Sequence, residues 1–163
     1  MRILGIDPGL QKTGWGIIDY DGHRLSFVAC GLIKTQAQTP LYARLAELDR
    51  GLMAVLNEWT PEIAAVEETF MNNNAASALK LGQARGVTVL APARVGLEVY
   101  EYATNLVKKS VVGTGHAAKD QVGLMIRTLL PKSGKVGEDE ADALAVAICH
   151  AHHSAYHKRV SLK

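Results

Sequence analysis

Within its first sixty residues the chain changes its apolar period, and that change restricts the possible folds more than any other feature. Residues 3–6 form a short apolar run closed by the turn-forming triplet Asp7-Pro8-Gly9. Residues 13–20 form a second extended segment, and Asp21-Gly22 is a hairpin signal leading into a third over residues 24–34. Three strands with tight connections predict an antiparallel meander. From Leu41 onward the spacing becomes three to four residues. Leu41, Leu45, Leu48, Leu52, Leu56 and Trp59 make one stripe of a long helix, with Thr39 as N-cap, Pro40 at the first helical position and Pro61 as the stop.

The rest of the chain alternates. A β-like run over residues 62–67 precedes a helix entered through Asn72-Asn73-Asn74 and running to about Leu90. A last strand is predicted over residues 95–100, followed by helices over 103–110, 117–130 and 139–153. This order predicts an α/β fold, a mixed sheet with helices on both sides. Gly82 and Gly86 share a helical face, which predicts a close neighbour, either the sheet or a partner chain. Residues 132–137, rich in Gly and Lys, read as a mobile surface loop. At 163 residues the chain suits one domain, here 1–157, with residues 158–163 expected to be a disordered tail. The histidines His150, His152, His153 and His157 lie two or more turns beyond Asp142 and read as a surface feature of the C-terminus. Cys30 and Cys149 are far apart and read as reduced thiols. With no secretory or membrane-spanning pattern, the cytoplasm is the expected compartment.

The formal charge of +2 says little, but its distribution says more. Between Thr104 and Val136 six bases (Lys108, Lys109, Lys119, Arg127, Lys132, Lys135) face one acid, Asp120, whereas Glu138-Asp139-Glu140-Ala141-Asp142 holds four acids in five residues. Asp7 and Glu67 each end a buried-looking strand. Asp139 and Asp142, at i and i+3, share a helical face, and the small residues behind them would let that helix press closely on a sheet. Converging carboxylates offer hard oxygen ligands, which select Mg²⁺ or Mn²⁺. Two such ions about 3.5–4 Å apart can assist in-line phosphodiester hydrolysis. A basic surface around an acidic pocket suits a phosphodiester substrate. On spacing alone, Asp139 could equally be an N-cap and Asp7 a turn former.

Five segments carry a resemblance. They are residues 5–14 (GIDPGLQKTG), 65–70 (AVEETF), 74–86 (NAASALKLGQARG), 107–113 (VKKSVVG) and 139–145 (DEADALA). In this order and spacing the chain resembles the RuvC family of Holliday-junction resolvases over nearly its whole length. The resemblance implies a ribonuclease H-like fold with a five-stranded mixed sheet flanked by helices, and a homodimer. It implies paired, symmetric nicking of a four-way DNA junction in recombination and repair. Asp7, Glu67, Asp139 and Asp142 would be the catalytic metal ligands, holding two Mg²⁺ ions with Mn²⁺ as a substitute. Alternation along the strand separates Glu67 from its neighbour Glu68, and the family pattern favours Glu67. By the same resemblance Phe70 would stack on an exposed base, Lys108 and Lys119 would lie near the scissile phosphate, and the helix after Asn74 would form the dimer interface. Lys80 and Arg85 are plausible phosphate contacts on that helix. Pairing with a RuvA–RuvB branch-migration complex is implied without any residue to carry it.

Overall fold

The computed structural model describes residues 1–68, 74–116 and 118–160, without the side chains of Lys119 and of residues 155–160. Three strands form the expected meander: β1 (Arg2–Asp7), β2 (Lys12–Tyr20) and β3 (Leu25–Lys34). Helix α1 (Leu41–Trp59) follows, then β4 (Ile63–Glu68), α2 (Ala75–Arg94), β5 (Glu98–Ala103), α3 (Thr104–Val112), α4 (Lys119–Leu129) and α5 (Glu138–Val160). The five strands form one mixed sheet in the order β3-β2-β1-β4-β5. β1 pairs antiparallel with β2 and parallel with β4. One apolar core lies between the sheet and α1 and α2, and a second lies between the sheet and α3, α4 and α5. This is the predicted α/β architecture.

Local differences from the sequence expectation have identifiable causes. Helix α1 starts at Leu41 with Pro40 as the flanking residue and no side-chain cap, so Thr39 does not serve as N-cap. It ends as expected: Thr60 turns left-handed (φ 44°) before Pro61. Helix α2 is capped by Asn74, whose side chain accepts from the Ser77 amide, and it runs past Leu90, through Pro92, to Arg94. The turn that follows, with Gly96 at φ 88°, takes up residues 95–97 and displaces β5 to Glu98–Ala103. Among the described residues nothing lies within 4 Å of a Cβ built at Gly82 or Gly86, so the sheet is not the neighbour they predicted. Lys132–137 is only partly irregular, beginning within a 3-10 turn over Pro131–Ser133.

Helix α5 departs furthest. It extends to Val160, past the boundary drawn at 157, while residues 161–163 lie outside the described residues. Apart from Asp142, every residue from Ala141 to Ala151 is buried, because the helix is packed between the sheet and α3 and α4. His150 is therefore not at the surface. It is 1% exposed, its Nδ1 lies 2.9 Å from the Tyr102 hydroxyl, and its ring leans on Tyr100 at 4.6 Å between centroids. His153 is half-buried, with Nδ1 2.8 Å from the Cys149 carbonyl oxygen, and His152 is exposed. His157 carries no described side chain.

The packing of α5 on the sheet depends on missing side chains. A Cβ at Gly5 of β1 would lie 2.1 Å from the Ala143 carbonyl oxygen and 2.7 Å from the Ala147 nitrogen. At Gly14 of β2 it would lie 2.1 Å from the Asp139 carbonyl oxygen, and at Gly16 it would strike the Leu144 side chain at 2.6 Å. Glycine in a strand interior normally weakens it; here it permits a close backbone approach. Gly5→Ala is expected to destabilise the fold by about 1–3 kcal/mol or more, the cost of overpacking. Gly123→Ala in α4, where nothing lies within 4 Å, should instead stabilise by about 0.5–1 kcal/mol. Urea unfolding of both variants tests the contrast; equal effects would contradict the close approach.

Candidate active site

β1 and β4 are adjacent parallel strands with Ile6 opposite Val66. Their C-terminal ends therefore carry Asp7 and Glu67 side by side, at the edge where open α/β sheets bind ligands. Helix α5 begins above this edge, and the contact of Gly14 with the Asp139 carbonyl holds its first turn there. The result is an open cavity of about 290 Å³ lined by Asp7, Glu67, Asp139 and Asp142, with Lys108 and Thr104 from α3 beside them. Glu68 is exposed and does not line it. Strand alternation thus separates the two adjacent glutamates in space.

The electrostatics of the cavity are unfavourable for a protein alone. Burial, followed by the charge and hydrogen bonding of Glu67 and the charges of Asp142 and Asp139, pushes the Asp7 carboxyl up to about 9. Among the described residues no three His, Cys, Asp or Glu side chains are gathered closely enough to hold a metal ion as they stand. The donor set is all carboxylate oxygen, which suits a hard divalent ion. Mg²⁺ in particular needs only a few protein ligands because it keeps water and substrate oxygens for the rest. The residues present therefore fit such a metal.

The loop after Asp7 is braced. Thr13 Oγ1 donates to the Gly9 carbonyl at 2.6 Å, and Arg44 from α1, only 8% exposed, donates to Thr35 Oγ1 at 2.9 Å and to the Leu10 carbonyl at 3.2 Å. A Cβ at Gly9 would lie 2.1 Å from the Lys12 carbonyl oxygen, so the turn needs glycine. Sequence reasoning missed Arg44, Thr13 and Thr35, because nothing in a helix stripe marks an arginine that turns back onto a loop. It also missed Thr104, whose hydroxyl donates to the Glu68 carbonyl at 3.2 Å and ties α3 to the end of β4, and Leu81 of α2, which lines the cavity.

The other predicted contacts separate. Lys108 lines the cavity and is half-buried. Lys80 is exposed on α2, next to Leu81. Arg85 is ion-paired with Glu101 of β5 and half-buried, so its single positive charge is already balanced within the chain. Lys119 opens α4, but its side chain, like the whole of Phe70, lies outside the described residues.

The family description "Crossover junction endodeoxyribonuclease RuvC" matches residues 3–150 of this chain. The chain belongs to the RuvC family. It is therefore a nuclease, and members of this family are metal-dependent. The crossover junction endodeoxyribonuclease RuvC of Paramagnetospirillum magneticum is 59% identical over 161 residues, covering 99% of this chain and 97% of its own. That of Xanthobacter autotrophicus is 61% identical, covering 94% and 90%. The solved structure of Thermus thermophilus RuvC in complex with Holliday junction substrate superposes with a TM-score of 0.88 at 34% identity, covering 96% of each chain. The yeast mitochondrial Holliday junction resolvase shares the fold at a TM-score of 0.67 and 14% identity, covering 96% of this chain and 80% of its own.

A proton held more tightly by folded than by unfolded Asp7 makes stability fall as pH rises. For the metal-free protein the window runs from the ordinary value of 3.8 to about 9. Thermal unfolding in EDTA should therefore lose stability between pH 5 and pH 8. Mg²⁺ or Mn²⁺ should raise Tm more at pH 8 than at pH 5, since the ion replaces the proton. Asp7→Asn should flatten both trends, and a wild-type profile in that variant would remove Asp7 from the charge cluster.

Proposed function

We propose that this chain resolves four-way (Holliday) DNA junctions by paired, symmetric nicks, with Asp7, Glu67, Asp139 and Asp142 as the ligands of one or two Mg²⁺ ions per site. The observation that carries the residue assignment is the convergence of those four carboxylates in one cavity at the ends of β1 and β4. When bound, the ions supply Lewis-acid polarisation of the phosphate and a nucleophilic water at neutral pH. The protein's own contribution is positional. β1 and β4 fix two ligands on rigid strands, and α5 fixes the other two on its first turn. Lys108 presents an ammonium at the cavity, where it can balance charge on the phosphate in the transition state. Lys80, Lys119 and Phe70 are assigned to DNA contact by family resemblance, and Arg85 to the same surface through its remaining donors. Mn²⁺ is the expected substitute ion.

The working unit is proposed to be a homodimer formed through α2. Ala75, Leu79, Gly82, Gly86 and Leu90 recur at helical spacing and are all exposed, with Leu79 at 67% and Leu90 at 59%. Two such sites about a two-fold axis suit a junction with the same symmetry. No described helix is long and apolar enough to cross a membrane, and we place the protein in the cytoplasm, with RuvA–RuvB as the partner implied by the family. A single nuclease domain over residues 1–157 is the corresponding domain assignment.

A labelled synthetic four-way junction should be nicked symmetrically in Mg²⁺ or Mn²⁺ and spared in EDTA, with a matched linear duplex left intact. Asp7→Asn should lower the rate by roughly 10²–10³-fold or more, corresponding to several kcal/mol of lost metal stabilisation, while junction binding persists. Equal cutting of junction and duplex would overturn the resolvase reading. Gly82 is exposed, and among the described residues nothing lies within 4 Å of a Cβ built there, so Gly82→Leu is expected to lower the mass from dimer to monomer by light scattering. An unchanged mass would move the interface elsewhere.

A further inference from the structure

The carboxylate cavity has a basic margin that Lys108 does not account for. Lys12 opens β2 and Lys34 ends β3, and the two are directly opposite in the antiparallel register. Both are exposed, and among the described residues neither joins an ion pair or a hydrogen bond. Like charges directly opposite in a sheet are destabilising, so the fold itself gives no reason to keep this pair.

Its placement does give one. Side chains alternate across a strand. Gly14 and Gly16 of β2 face α5, as their contacts with Asp139 and Leu144 show, so Lys12 lies on that same face. Lys34 follows by register, in step with Leu32 opposite Gly14. Gly14 is also opposite Asp7. Lys12 is two residues further along, about 7 Å at roughly 3.3 Å per residue. The lysine pair therefore borders the carboxylates on the β2–β3 side. Lys108 borders them on the other side, because α3 packs over β4 and β5. The strand end is tied to its neighbours by hydrogen bonds. Lys34 is followed by Thr35, whose amide donates to the Gln11 carbonyl at 3.0 Å and whose hydroxyl accepts from Arg44. Two lysines paired across the strands beside the carboxylates form a basic point suited to an anion.

We propose that Lys12 and Lys34 form a second phosphate-binding point, gripping the DNA backbone beside the scissile phosphate on the side opposite Lys108. This rests on the junction-nuclease reading above. With Lys108, it brackets the cavity so that one strand crosses the carboxylates between two cationic supports.

The test is the salt dependence of junction binding, read by fluorescence anisotropy in EDTA so that no strand is cut. Neutralising each phosphate contact should reduce the slope of log Kd against log salt by about one unit. Lys12→Gln/Lys34→Gln should thus reduce it by about two. Lys12→Arg/Lys34→Arg should keep the wild-type slope, and Arg24→Gln, at the far hairpin end of the same strands, should leave it unchanged. If the lysines serve only to offset the acids at the start of α5, the Gln pair will lower Tm and leave the slope unaltered, which overturns the proposal. A slope equally reduced by Arg24→Gln would also overturn it, as general surface charge. A wild-type protein that does not prefer the junction over duplex would instead refute the underlying functional reading.

Discussion

The close contact of α5 with β1 and β2 is the constraint on which the site depends. Gly5 and Gly14 present no side chain to α5, so main-chain atoms of the helix sit directly on the strands there, and Gly16 leaves room for the Leu144 side chain. A helix held off by one layer of ordinary side chains would carry Asp139 and Asp142 several ångströms away from Asp7 and Glu67. The glycine-lined strands and the alanine-rich helix are thus one device, divided between residues 5–16 and 139–147.

That device brings together groups that repel each other. Strand pairing puts Asp7 beside Glu67, the helix adds two more acids, and burial makes the Asp7 charge more costly. The core must supply the compensating stability, and it does so with two apolar layers rather than with charges. Ile3, Ile18, Leu144 and Ile148 pack on one face of the sheet, and Leu4, Ile6, Ile17, Leu48 and Leu52 on the other. A site that is electrostatically incomplete by itself is suited to binding cations, and the same incompleteness makes cation binding and folding stability interdependent.

The polar contacts around the cavity serve to hold the ends of elements. Arg44 and Thr35 fix the loop after Asp7, Thr104 joins α3 to the end of β4, and Tyr102 meets His150 where β5 passes α5. Each joins an element bearing a site residue to a neighbouring one. Positioning within a few tenths of an ångström is what metal-assisted hydrolysis requires of a scaffold, and buried hydrogen bonds between elements provide it more rigidly than surface contacts would.

Much of this was legible in the sequence wherever local periodicity and local chemistry agree. The meander, the α1 stripe, the Asn74 cap and the i, i+3 pair at Asp139 and Asp142 depend only on neighbours in the chain, and they were read correctly. The family motifs also identified the four acids as a set. Other features depended on packing. The middle of helix α5, residues 143–149, is apolar all round, so no stripe shows its orientation, and His150 appeared superficial although it lies in the core. The displacement of β5 followed from α2 continuing through Pro92, a local penalty that tertiary burial of Ala91 and Pro92 outweighed. Arg85 looked like a free cation until β5 brought Glu101 to it. The sequence by itself determined which residues could form strands, helices and metal ligands, because those preferences are set within a few residues. Only the tertiary structure decided which of them meet, because contacts between residues 5, 67, 108 and 139 are fixed by the pairing of strands and by how closely one helix can approach them.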